Sequence, residues 1–287
     1  MKKELAQEIT DKFIAQLRQG TAPWRKPWIS HGYAPHNYFS RRPYRGINTL
    51  LLAITSMEQG FTSPAWTTYK KAAEHGAQVR KGEKATRIVF WKQLKITDKQ
   101  TDEEKSIPLM RMYSVFNTDQ IDGLDFTLPE REPVEIRDAL KLVIEEYPNP
   151  PSIVHTVSDK AFYSPATDAI TLPLLEQFHD EQAYAETALH EAVHSTGHSS
   201  RLNRLEGGVF GCASYAKEEL VAEIGASMLM QHAGIPVDMP QMAGYVENWL
   251  KALQDDETLI IKAAQQAQKA MDHILGGHIT EGDNDES

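Results

Sequence analysis

Only one of the 287 residues is a cysteine, Cys212. That excludes an intrachain disulfide and any cysteine-rich zinc ribbon, so a metal site here has to be built from histidine and carboxylate. Long apolar runs are also missing: no window approaches the ~18 uncharged apolar residues that span a bilayer. The N-terminus, MKKELAQEITDKFIAQL, starts with two lysines as a signal peptide does. Glutamates and an aspartate then interrupt what would be its apolar core, so it reads as an amphipathic helix of a protein that stays in the cytoplasm, with no membrane partner. There is no P-loop, zinc finger or RNA-recognition aromatic motif, and no internal repeat or low-complexity tract. With 41% hydrophobic and 24% charged residues, the chain can bury a sizeable core, and its length suits two ordinary domains.

The net charge of −10 argues against nucleic acid until it is divided at the Pro/acidic stretch TLPEREPVE, residues 127–135, which reads as a linker. Residues 1–125 hold 20 Lys+Arg against 13 Asp+Glu, and the remainder hold 10 against 27. A basic module joined to an acidic one is the charge pattern of a nucleic-acid-binding module attached to something else. The expected division is therefore a basic domain at 1–126, a linker at 127–135, a second domain at 136–275 and an acidic tail at 276–287.

Leu5, Ile9, Phe13 and Leu17 recur every four residues before Gly20, which predicts a first helix with one apolar stripe. Residues 21–46 then carry four prolines and six aromatic residues interleaved with arginine and lysine. Helical patterns return at 47–59 and 67–75, and RIVFWKQLKI (87–96) and LMRMYSVFN (109–117) read as strands around a charged loop. Past the linker, 136–146 reads as a helix, SIVHTV (152–157) and AITLP (169–173) as a hairpin, and helices dominate to about residue 275. The fold class expected is α+β in both domains.

The strongest local signal is His190-Glu191-Ala192-Val193-His194, an HExxH inside a helical run. Positions i and i+4 share a helix face, so both imidazoles can reach one ion, and Glu191 lies close enough to act as general base on a water there. The bland alternative is a solvated helix that happens to carry two histidines. A catalytic zinc usually takes three protein ligands. His198 is one candidate, requiring a sharp turn after Gly197. The other is the helical stretch YAKEELVAEIGASMLM (215–230), where Ala222 and Ala226 allow close approach. There Glu219 is the expected ligand, with Glu223 one turn on and His198 expected to hydrogen-bond around the ligands rather than bind the ion. Glu218 is expected to be exposed. Tyr215, Tyr163 and His198 are candidate donors to an oxyanion, Tyr215 being the one assigned to catalysis. The implied ion is Zn²⁺, with Mn²⁺ equally suited to two histidines and a glutamate, and whether the site cleaves peptides stays open.

Single-stranded nucleic acid is held by rings that stack on bases and cations that follow the backbone. Tyr38, Arg41, Arg42, Tyr44, Arg45 and Asn48 are the favoured contacts, with Lys70, Lys81 and Lys84 beyond them, whereas Trp24, Trp28 and Trp91 read as packing residues.

At this point the motifs PWRKPW, NYFSRRPYRGINTLLL, SPAWTTYKKAAEHGAQVRKGEKAT and FWKQLKI resemble the N-terminal domain of the ArdC-type antirestriction proteins, also found at the head of TraC-type plasmid primases. LHEAVHSTGHSSRLNR and YAKEELVAEIGASML resemble that family's metallopeptidase-like domain, a zincin similar to SprT/Spartan proteases. The resemblance implies a plasmid-encoded protein that binds single-stranded DNA during conjugation and protects it from host restriction endonucleases. A DNA-dependent metalloprotease acting on DNA-bound proteins, such as restriction enzyme subunits, uses the same residues. An acidic DNA mimic is the third reading and leaves the basic module unexplained.

Overall fold

The structure, a computed structural model, describes residues 3–24, 33–97, 104–127, 134–205, 213–237 and 243–277. Most of the expected linker and acidic tail, together with Arg25, Lys26 and Trp28, lies outside them. The elements run α1 (Lys3–Arg18), β1 (His36–Asn37), α2 (Ile47–Gln59), β2 (Ala65–Thr68), α3 (Tyr69–Glu74), β3 (Gln78–Val79), β4 (Thr86–Thr97), β5 (Glu104–Asn117) and β6 (Ile121–Asp122). There follow α4 (Ile136–Glu146), β7 (Ser152–Thr156), β8 (Phe162–Ser164), β9 (Ala169–Pro173), α5 (Glu181–Ser195), α6 (Ala213–Ala233), α7 (Ala243–Asp255) and α8 (Leu259–Ile274). By contact the chain divides into residues 35–129 and a second unit of 2–34 plus 130–287.

The first unit is α+β. Its sheet has the order β1-β2-β5-β4, parallel between β1 and β2 and antiparallel elsewhere. Alternation along β4 and β5 turns Ile88, Phe90, Tyr113 and Val115 to one face, where they pack with Tyr44, Leu52 of α2 and Trp66 of β2. The sequence placed a helix over 67–75. The chain instead runs extended through the buried Ala65, Trp66 and Thr67, and α3 begins only after Thr68, whose hydroxyl accepts from Lys71 N–H at 3.2 Å and caps it. Strand β5 also starts earlier than expected, because the ladder to β4 continues to Thr97↔Glu104, and ladder hydrogen bonds outweigh the low strand preference of charged residues.

By contact, α1 groups with the second unit, whereas the chain order suggested the basic domain. Leu5, Ile9, Phe13 and Leu17 are all buried, and the helix packs on α7 and α8, with Thr10 Oγ1 donating to Glu257 O at 2.7 Å. Trp24 is buried as expected and meets Trp249 edge-on at 5.5 Å between ring centroids. An apolar stripe says that a helix must be covered but not by what. The expected hairpin of 152–173 is also different: β7 and β9 are parallel, and the intervening β8 pairs antiparallel with β9, giving the order β7-β9-β8. Ile170 and Leu172 of β9 point into the core, and α5 lies against β8 and β9.

Candidate metal centre

Helix α5 is capped by Asp180, whose carboxylate accepts from Ala183 N–H at 2.7 Å, the usual solution for an unsatisfied helix N-terminus. It buries Ala185, Ala188, Leu189, Ala192 and Val193, which leaves His190 and His194 one turn apart on the remaining face. Helix α6 crosses it closely. Ala222 and Ala226 are buried as the small-residue pattern implied, and the tightest point is Gly225, where an added Cβ would lie 2.9 Å from both methyl carbons of Val193. That approach brings Glu219 to the two imidazoles.

His190 Nε2 and His194 Nε2 are 3.1 Å apart. Glu219 Oε2 lies 3.5 Å from His190 Nε2, and Oε1 lies 3.4 Å from His194 Nε2. These are close to the ~3.3 Å edge of a tetrahedron whose metal–ligand bonds are ~2.05 Å long. Two imidazole nitrogens and a carboxylate aimed at one point suit Zn²⁺, and imidazole–carboxylate sets also take other divalent ions. Among the described residues, His190, His194 and Glu219 are the group that can hold a metal ion. Glu219 is only 6% exposed and Glu191 only 7%. Burial opposes a charge on either member of the His194/Glu219 pair. Even so, the carboxylates of Glu218 and Glu219 lift the His194 pKa to about 10, and the two imidazoles hold Glu219 well below the usual carboxylate range. A cation is therefore favoured at this point.

Glu218, expected to face solvent, is turned inward. Its Oε1 lies 3.2 Å from His194 Nδ1, and its two oxygens accept from Arg204 Nε and Nη2 at 2.8 Å each. Glu223 stands 3.7 Å from His190 Nδ1, on the side away from Glu219, as its spacing implied. His198 is not part of the cluster: its Nδ1 accepts from Ser200, the Oγ at 2.7 Å and the backbone N at 3.2 Å, so the ring braces the turn after α5. Tyr163 donates to Asp168 Oδ1 at 2.8 Å instead of standing free as an oxyanion donor. Burial and that hydrogen bond push its pKa up to about 12. Asp168 in turn takes a bidentate pair from Arg201, whose side chain is buried and also donates to Ser195 O and Asn149 O. Tyr215 sits half-buried one turn before Glu219. Glu218 and Arg204 are the site residues that sequence patterns missed, and the Asp168–Arg201 pair is a further buried pairing they did not show.

In the first unit, the expected DNA contacts separate into surface and interior. Asn37 Oδ1 accepts from Phe39 N–H and Ser40 N–H at 3.0 and 2.9 Å, a tight turn that presents Tyr38 to Arg42. The Arg41 guanidinium lies 5.3 Å from the Tyr38 ring centroid and 5.4 Å from that of Phe126, and Phe39 stacks on His75 at 4.0 Å. Arg42, Lys70, Lys81 and Lys84 are exposed, and Tyr69 beside Lys70 is 52% exposed. Arg45 is half-buried. Tyr44 and Asn48 are not surface contacts. Tyr44 belongs to the core. Asn48 Nδ2 donates to Val89 O at 2.7 Å, and Val89 N–H donates to Asn48 Oδ1 at 2.8 Å. The side chain thus occupies the free edge of β4.

Fold and site together define a zincin-like metallopeptidase domain carried behind a separate basic domain. Residues 149–266 match the zincin-like metallopeptidase family and residues 3–116 match the N-terminal domain of anti-restriction factor ArdC. The chain belongs to the ArdC antirestriction family. The crystal structures of antirestriction ArdC from plasmid R388 superpose on it with a TM-score of 0.79. The metal-free form is 42% identical, covering 94% of this chain and 96% of that one; the Mn(II)-bound form is 39% identical, covering 97% and 99%. The y4eC protein of Sinorhizobium fredii is 34% identical over 94% of this chain and 91% of its own length. The Escherichia coli DNA primase TraC is 40% identical over 96% of this chain, which spans only 20% of that primase. Among the described residues no helix is long and apolar enough to cross a membrane.

Proposed function

We propose that the chain is a plasmid antirestriction protein that binds single-stranded DNA during conjugative transfer, shields it from host restriction endonucleases in the cytoplasm and holds a divalent ion at His190, His194 and Glu219. The observation that carries this reading is the full-length likeness to an antirestriction protein. It is supported by charge: residues 35–129 hold 14 Lys+Arg against 10 Asp+Glu even without α1. Arg41 lies over the Tyr38 ring with Arg42 exposed beside it in sequence, and Lys70, Lys81 and Lys84 extend the basic surface. Backbone phosphates would meet the cations and bases the rings, each stack contributing ~1–3 kcal/mol. Fluorescence anisotropy with labelled single-stranded and duplex DNA across a salt series tests this. Salt-dependent, strand-selective binding by the full chain should weaken in Tyr38→Ala/Arg41→Ala. Equal affinity for both strand forms, or no binding, refutes it.

A second reading is a DNA-dependent zinc metallopeptidase that cleaves proteins on DNA, restriction enzyme subunits among them. The buried Glu191 inside HExxH favours it. A divalent ion held by His190, His194 and Glu219 supplies Lewis acidity toward a carbonyl. Glu191 is the carboxylate able to take and return a proton beside the ligands. Strand β8 is an edge of its sheet on the side of α5, where an extended peptide can add as a further strand. Tyr215 is the remaining candidate to stabilise developing negative charge. A Glu191→Gln variant that protects DNA as well as the native protein favours shielding; loss of protection with DNA binding intact favours cleavage.

A further inference from the structure

Arg204 and Glu218 form a nearly closed ion pair, their side chains 9% and 13% exposed, between the last turn of α5 and the first turns of α6. The guanidinium forks onto both carboxylate oxygens at 2.8 Å. It also donates to the end of α5 and its cap: Nη1 to Thr196 Oγ1 at 2.9 Å and Nη2 to Val193 O at 2.8 Å. The arginine's own N–H donates to Gly197 O at 2.9 Å, so the cation sits at the carbonyl end of the HExxH helix, where a positive charge is favoured. Glu218 Oε1 is shared between Arg204 Nη2 and His194 Nδ1. A carboxylate so held only accepts, so Nδ1 is the nitrogen that keeps its proton when an ion binds, and Nε2, facing Glu219 and His190, is the one that gives its proton up.

We propose that Arg204 and Glu218 are positioning residues of the metal centre. They lock the tautomer of His194 and the register of α6 against α5, and thereby set the affinity for the divalent ion. The proposal rests on the reading of His190, His194 and Glu219 as ligands. Glu223 faces His190 Nδ1 at 3.7 Å.

The test uses the full chain stripped of metal and titrated with Zn²⁺ and with Mn²⁺ against a chromophoric chelator, with thermal unfolding of the metal-free forms in parallel. Glu218→Gln is expected to weaken both ions about 10–100-fold. Because that variant leaves a buried arginine unmatched, the paired Arg204→Met/Glu218→Gln removes both charges together and keeps a carbonyl toward His194. It is expected to fold and to show the same loss. Arg204→Lys keeps the charge without the fork and should lose less. A paired variant that is folded and binds either ion within threefold of the native protein overturns the proposal, as does a lowered unfolding temperature with unchanged affinity. A native protein that takes up neither ion overturns the metal centre itself, and the positioning role with it.

Discussion

Replacing Gly225 with alanine tests whether close helix approach is what assembles the metal centre. On an isolated helix the change is favourable, since glycine costs ~0.8–1.0 kcal/mol against alanine in a helix interior. Here the new Cβ would meet Val193 Cγ1 and Cγ2 at 2.9 Å, with Val193 Cβ at 3.5 Å, against ~3.5–4.0 Å for carbon atoms at their optimal separation. Both methyl carbons belong to a β-branched side chain with one strongly preferred rotamer in a helix, so the valine cannot swing away and the helices must part by several tenths of an ångström. Overpacking of this kind costs ~1–3 kcal/mol, which offsets the helix gain and predicts a net loss of about 0–2 kcal/mol. The metal site is the more sensitive readout, because the ligands come from both helices and parting them lengthens the 3.4 and 3.5 Å gaps from the imidazoles to Glu219. Urea unfolding of the metal-free protein and chelator competition for Zn²⁺ should both show the loss. Val193→Ala in the same chain should restore much of the metal affinity by reopening the space, a coupling that a double-mutant cycle measures. If Gly225→Ala is instead more stable by about 1 kcal/mol and binds the ion as before, helix propensity has won and the proximity argument fails.

Glu191→Gln should retain metal binding, since Glu191 is not one of the converging ligands, while removing any peptide cleavage; retained cleavage would mean another proton acceptor. Asn48→Ala removes two buried hydrogen bonds and leaves the Val89 amide and carbonyl facing a cavity, a cost of about 2–6 kcal/mol at ~1–3 kcal/mol per unsatisfied group. It should appear as a lower urea midpoint, whereas a change under about 0.5 kcal/mol, as for an ordinary surface position, would place Asn48 outside the core. Tyr163 gives a pH signature. Its folded pKa is raised to about 12 by burial and by donation to Asp168, so the folded chain keeps a proton that the unfolded chain loses near pH 10. The stability it contributes is whole below pH 10 and falls between pH 10 and 12. Urea midpoints of Tyr163→Phe should therefore decline less steeply over that interval, and identical slopes would refute the assignment.

The candidate metal cluster was legible because its chemistry coincides with a helix period: His190 and His194 are four apart, and Glu219 and Glu223 four apart on a helix rich in small residues. Glu218 was not, for a reason in the same geometry. A residue adjacent to Glu219 lies about 100° around the helix, off the ligand face, and without a partner it would be solvated. What turns it inward is Arg204, a cation 14 residues earlier in an irregular turn, and no periodicity connects a loop arginine to a helix carboxylate. Asn48 erred in the opposite direction. Set among Arg41, Arg42, Tyr44 and Arg45 it looks like a nucleic-acid contact, but it is the second residue of α2, and the helix puts it against an edge strand whose open backbone groups need partners. The stripe of α1 and the three-residue β8 show the same limit at larger scale. A pattern reports that a face must be covered, or that a segment is extended, while the element that covers or pairs with it is decided by contacts far along the chain. The polar residues hardest to place from sequence are accordingly those whose partners lie on a different element. In this protein Glu218, Arg204, Asp168, Arg201 and Asn48 are all of that kind, and the first two brace the candidate ligand His194.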